Sequence, residues 1–132
     1  MAVFWKKDRF QKEGNSMWMP FVMKKRKSNN YMGVQFVRLK DLKSGKIFVV
    51  GSLHICWSKK FKPLRTLKTY LKPFARFDYV VIGGDFNKQA PPKSLLNEGF
   101  EALDGIQARQ IDWILVRGSS YMERTEKTAG KN

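Results

Sequence analysis

Cysteine, histidine and acidic residues are what this sequence has little of. Its single cysteine, Cys56, excludes an internal disulfide and fits a reducing compartment. Only 11 Asp and Glu stand against 26 Lys and Arg, a formal net charge of +15. So basic a chain attracts polyanions, nucleic acid first and an anionic membrane second. No apolar run is long enough to span a bilayer. Residues 1–10 carry basic side chains with no apolar core behind them, which is not a signal peptide. An intracellular location is therefore expected, with no compartment assigned. Internal repeats and low-complexity segments are also missing.

What is present suits one folded domain. The 132 residues are 42% hydrophobic and 14% aromatic, enough for a sizeable core and too apolar for general disorder. Residues 1–118 read as that domain and residues 119–132 as a polar tail.

The organising stretch is residues 78–87, Asp-Tyr-Val-Val-Ile-Gly-Gly-Asp-Phe-Asn. Residues 79–82 form a short apolar run bounded by glycines, which predicts a strand buried on both faces. Side chains two apart on an extended chain point the same way, so Asp85 and Asn87 would project together, with Phe86 packed behind them. Gly83 and Gly84 allow backbone or ligand to approach closely. In open α/β sheets the ligand crevice lies at such strand ends. An ordinary Asp/Asn turn leaving the core is the competing reading.

Along the rest of the chain, residues 2–5 read as a strand and residues 18–23 as an edge strand containing Pro20, which cannot donate to a ladder. Lys24, Lys25, Arg26 and Lys27 make a basic loop, either a solvated hairpin tip or a contact for nucleic acid. Residues 31–39 and 46–50 predict an antiparallel hairpin turned at residues 43–46. His54, the only histidine, lies just beyond the second of these strands; a lone histidine is more often structural than catalytic. Residues 57–62 form a basic aromatic loop with Lys59, Lys60 and Lys62. A helix then begins at Pro63, with Leu64, Leu67 and Leu71 at helical spacing, and stops at Pro73. Strand, helix and strand in this order make a βαβ unit of an α/β domain. Lys88 opens a loop, residues 92–98 predict a short helix stopped by Gly99, and residues 100–103 a short strand. Residues 110–116 form the last strand. Asp112 within it must pair or hydrogen-bond if buried, or else open the strand in solvent.

Three motifs in order, Leu53-His54-Ile55, Gly84-Asp85-Phe86-Asn87 and Ile111-Asp112-Trp113-Ile114, resemble the endonuclease/exonuclease/phosphatase superfamily, the deoxyribonuclease-I-like fold. The resemblance covers residues 46–116, and residues 2–10 resemble a strand of that superfamily more loosely. It implies a four-layer α/β/β/α sandwich, two packed sheets with outer helices, of which this chain would form part. It also implies hydrolysis of phosphoric esters with Mg2+ or Mn2+. Asp85 would accept a proton from the attacking water or orient it, and Asn87 would hold a phosphate oxygen or the metal shell. His54 would donate to the phosphate or help the leaving oxygen, and Asp112 would orient a second histidine. Asp85 and Asn87 are the implied metal-site residues, and Lys88 joins the basic loops as a nucleic-acid contact. The superfamily's metal-binding glutamate and closing Ser-Asp-His motif have no counterpart here. The expectation is therefore the middle of such a domain, with reduced or no activity alone and with open sheet edges that favour self-association or a complementing chain. A non-catalytic, basic nucleic-acid-binding remnant of the fold is the alternative.

Overall fold

A computed structural model describes residues 2–21, 32–55, 62–103 and 111–118. Its strands are β1 (Phe10–Lys12), β2 (Met17–Pro20), β3 (Gly33–Asp41), β4 (Ile47–His54), β5 (Tyr79–Asp85), β6 (Glu101–Ala102) and β7 (Asp112–Gly118). The helices are α1 (Pro63–Leu71), extended by a 3-10 turn at Lys72–Phe74, and the single turn α2 (Lys93–Leu96). The strands form one seven-stranded sheet in the order β1-β3-β4-β5-β7-β6, with β2 also paired to β3.

The expected hairpin is β3 and β4, antiparallel from Gly33 opposite His54 to Lys40 opposite Ile47. Asp41 fixes its turn. The backbone N–H of Gly45 donates to the Asp41 carbonyl at 2.7 Å. The Asp41 carboxylate accepts from the Ser44 hydroxyl at 2.7 Å and from Arg9 Nε at 2.6 Å. From β4 the chain crosses over through α1 and returns as β5 parallel to β4, as a helical crossover requires. Pro63 begins α1 with a fixed φ at a position where no N–H is needed. Leu67 and Leu71, one turn apart, bury their side chains on the sheet. Burial of a leucine of this kind contributes about 1.5–3 kcal/mol.

Alternation divides the sheet into two faces. Val34, Phe36, Val49, Leu53, Val80, Ile82 and Leu115 pack with Leu67, Leu71, Phe74, Phe86, Leu95 and Phe100 into the core. The residues between them in the strands point the other way. On that second face Phe48 stacks on Tyr79 at 4.7 Å between ring centroids, and Phe10 meets Phe48 edge-on at 5.6 Å. Val50, Val81, Ile114 and Val116 share this face and remain half-buried.

The α/β class is as expected. All the described strands belong to one sheet, so the second sheet of a sandwich is not among them. Residues 2–5 are not a strand, contrary to expectation. β3 is taken on both sides, by β4 on one and by β1 and β2 on the other, at Leu39–Asp41 and Gly33–Phe36. Residues 3–6 instead lie over the second face, lining a cavity of about 600 Å3 with Phe10, Leu39, Phe48 and Val50. Met17–Pro20 is the edge strand that Pro20 demanded, and residues 22–23 lie outside the described residues. The tail at 119–132 lies outside them as well.

Candidate active site at the strand ends

Strand register alone brings the polar residues together. His54 ends β4 beside Asp85, which ends β5, and Asp85 stands directly opposite Asp112, which opens β7. The three therefore form a row across adjacent strands on the face away from the helices. His54 Nε2 lies 4.0 Å from Asp85 Oδ2, and both side chains are partly exposed, at 42% and 34%. Cβ atoms of residues directly opposite in an antiparallel pair are about 4.5–5.5 Å apart, and two like charges so placed repel. A cation would relieve the repulsion between the carboxylates of Asp85 and Asp112.

The backbone around the row is tightly held. The ladders run one step past the strands, with the Ile55 N–H donating to the Asp85 carbonyl and the Phe86 N–H to the Ile111 carbonyl, each at 2.9 Å. Phe86 is fully buried, which points its two neighbours outward. Gly84 has φ 141°, and a Cβ there would come within 2.0 Å of the Leu53 carbonyl oxygen. Only glycine lets β5 run this close to β4 beside His54. Asn87 adopts a left-handed conformation at φ 48°, in which Asn is among the tolerated residues. Its N–H donates to Asp85 Oδ1 at 2.7 Å, an Asx-type turn. Its Nδ2 donates to the Ile55 carbonyl at 2.5 Å, so the side chain ties the end of β5 to the end of β4. Asn87 thus makes the Asp/Asn turn of the competing reading while standing next to Asp85 in the candidate site.

Asp112 opens its strand and is neither fully buried nor fully exposed. Lys88 follows Asn87 and is exposed; Lys62 precedes α1 and is exposed. Lys24, Lys25, Arg26, Lys27, Lys59 and Lys60 lie outside the described residues. One contributor went unnoticed in the sequence. Trp113 donates its indole N–H to the Lys88 carbonyl at 2.9 Å, holding the loop that leaves Asn87. The available signal was the need of a partly buried indole for an acceptor.

Among the described residues no group of three or more His, Cys, Asp and Glu side chains is placed to hold a metal ion. Magnesium asks for less, since it keeps several waters and takes one or two carboxylates plus substrate phosphate. Asp85 carries the carboxylate and Asn87 the amide oxygen that such a site would use.

Solved structures share this fold. The chain matches an endonuclease/exonuclease/phosphatase family protein from Bacteroides thetaiotaomicron with TM-score 0.62 and 18% identity, covering 86% of this chain and 53% of that one. It matches the human Nocturnin catalytic domain with bound sulfate at TM-score 0.57 and 17% identity, over 83% and 49% of the two chains. A third match is D. rerio TDP2 complexed with a single-strand DNA product, at TM-score 0.54 and 13% identity over 86% and 55%. No family model and no curated protein sequence matches the chain. The protein has the endonuclease/exonuclease/phosphatase fold, and spans about half the length of the solved chains that share it.

Proposed function

We propose that this chain carries part of the active site of a metal-dependent phosphodiesterase or nuclease. The observation that supports it best is the row His54, Asp85 and Asp112 at one set of strand ends, with Asn87 tied to Asp85. An ionised carboxylate only accepts hydrogen bonds, so Asp85 suits a water that must be oriented and relieved of a proton. His54, whose Nε2 lies 4.0 Å from Asp85 Oδ2, would donate to a phosphate oxygen or to the leaving oxygen. Asn87 uses its Nδ2 on the Ile55 carbonyl, and its Oδ1 is the group left for a metal-bound water. Asp112 has no second histidine to orient in this sequence, and acts here as the second carboxylate beside Asp85. Mg2+ or Mn2+, when bound, would neutralise charge on the phosphoryl oxygens.

The set is incomplete by the standard of the resemblance, which calls for a glutamate and a second histidine. We therefore expect weak or no hydrolysis by this chain alone, and a complementing chain to supply the rest. The net charge of +15 favours nucleic acid as partner, and supports the second reading, a binding module of the same fold without chemistry. A likeness to a TDP2 structure holding a DNA product is consistent with either. Among the described residues no helix is long and apolar enough to cross a membrane. The single cysteine fits the intracellular location proposed for it.

The deciding experiment is hydrolysis of a labelled oligonucleotide and of a simple phosphodiester, with Mg2+ and with EDTA. Metal-dependent turnover that Asp85→Asn removes supports the enzyme. Oligonucleotide binding without turnover, unchanged by Asp85→Asn, supports the binding module.

A further inference from the structure

A second cluster of charge lies on the helix-covered side of the sheet. Arg117 stands opposite Val80 on β5, while Asp112 stands opposite Asp85. Five residues along a strand separate the two positions by about 17 Å, and the odd spacing puts them on opposite faces. Arg117, Lys68, Lys72 and Glu98 line a small cavity of about 140 Å3 together with Leu71 and Leu95. Three cations thus share one carboxylate, and Glu98 Oε1 is already 3.2 Å from Lys68 Nζ. The guanidinium of Arg117 lies over the Phe100 ring at 4.7 Å. Its Nη1 donates to the Glu98 carbonyl at 3.3 Å. Its Nη2 is buried and has no hydrogen-bond partner among the described residues.

Guanidinium stays charged at any ordinary pH, and a buried donor left unmet on a charged group is costly. Burial works against the charge here, with Glu98 opposing that only in part. An oxyanion in the cavity would balance the excess positive charge of Arg117, Lys68 and Lys72, a charge-assisted pairing for which arginine is suited. Size narrows the ligand. The cavity, about 140 Å3, is well below the roughly 300 Å3 at which pockets that enclose a whole organic ligand begin, so it suits one phosphate group better than a whole nucleotide. We propose that Arg117, Lys68 and Lys72 form a binding site for a single phosphate group, separate from the Asp85 row. The group is either free inorganic phosphate or one phosphate of a bound nucleic-acid backbone. The proposal does not depend on the catalytic reading of the Asp85 row.

The test titrates the full chain with sodium phosphate at constant ionic strength, balanced with chloride, and follows the Arg117 Nε–Hε NMR signal. A saturable shift is expected, with Lys72→Gln weakening it about three- to fivefold. Lys40→Gln, at an exposed lysine on β3 that is not part of the cavity lining, should leave it unchanged. Arg117→Met should abolish the saturable response in a thermal melt; since that variant could unfold, the exposed Lys72→Gln variant is the decisive one. A shift that never saturates overturns the proposal, as does an equal effect of Lys40→Gln and Lys72→Gln, which would mark a general field. Adding a short single-stranded oligonucleotide separates the two sources. Displacement of phosphate from the Arg117 signal assigns the site to backbone phosphate, and no displacement assigns it to the free ion.

Discussion

Replacing Gly84 by alanine tests the geometry that brings His54 to Asp85. The new Cβ would sit 2.0 Å from the Leu53 carbonyl oxygen and 3.0 Å from the Leu53 carbonyl carbon and nitrogen. These are backbone atoms of the adjoining strand, so no side chain can swing aside to make room. At φ 141° alanine also carries backbone strain of about 1–3 kcal/mol. Relieving the clash means pulling β4 from β5 by more than an ångström, at the point where Leu53 pairs with Gly84 and His54 with Asp85. One or two ladder hydrogen bonds would be lost there, at about 1 kcal/mol each. The sum is about 2–5 kcal/mol, a large share of the roughly 5–15 kcal/mol that holds a domain together. Gly45→Ala is the matched control, since it has φ 73° in the hairpin turn but nothing within 4 Å of the added Cβ. It should cost only the strain, about 1 kcal/mol. Urea unfolding of the two variants beside the parent reads the difference. If Gly84→Ala is no worse than Gly45→Ala, the close approach of β4 and β5 at the site is wrong.

Nucleic-acid affinity should fall about a thousandfold between roughly 50 and 200 mM salt if some six phosphates are contacted, and a flat salt dependence in a fluorescence titration would remove the polyanion reading. Asp41 is held well below the usual carboxylate range, first by the Arg9 hydrogen bond and next by that of Ser44, with burial opposing. Because the folded state lowers this pKa, its stabilisation is complete above the unfolded value near 4 and is lost as pH falls below it toward the folded one. Urea midpoints measured from about pH 5 down to about pH 2 should therefore drop less steeply for Asp41→Asn than for the parent. The half-buried apolar face, and the outer edges of β1, β2 and β6 that no described strand covers, should make the chain associate, and a monomer at all concentrations in sedimentation would contradict this.

The sequence by itself determined the local elements. Leu64, Leu67 and Leu71 behind Pro63 could only bury a common face as a helix, and that helix is there. The turn at residues 43–46 and the apolar runs beside it specified a hairpin, because a turn and two strands are contacts between near neighbours in the chain. Phe86 between Asp85 and Asn87 was also legible, since alternation along one strand decides which side chain is buried. Residues 2–5 show where such reasoning stops. Their apolar, aromatic composition suits a strand, but they lie over the second face of the sheet beside Phe10, Leu39, Phe48 and Val50 instead of pairing with an edge. Composition is a property of the segment, whereas the apolar face that it covers belongs to the whole sheet. The same holds at the candidate site. That His54, Asp85 and Asp112 share a row depends on β4, β5 and β7 being adjacent and in one register, and a slip of one residue would put a side chain on the other face. Strand order and register arise from packing among segments 31 and 27 residues apart, and only the tertiary structure decides them.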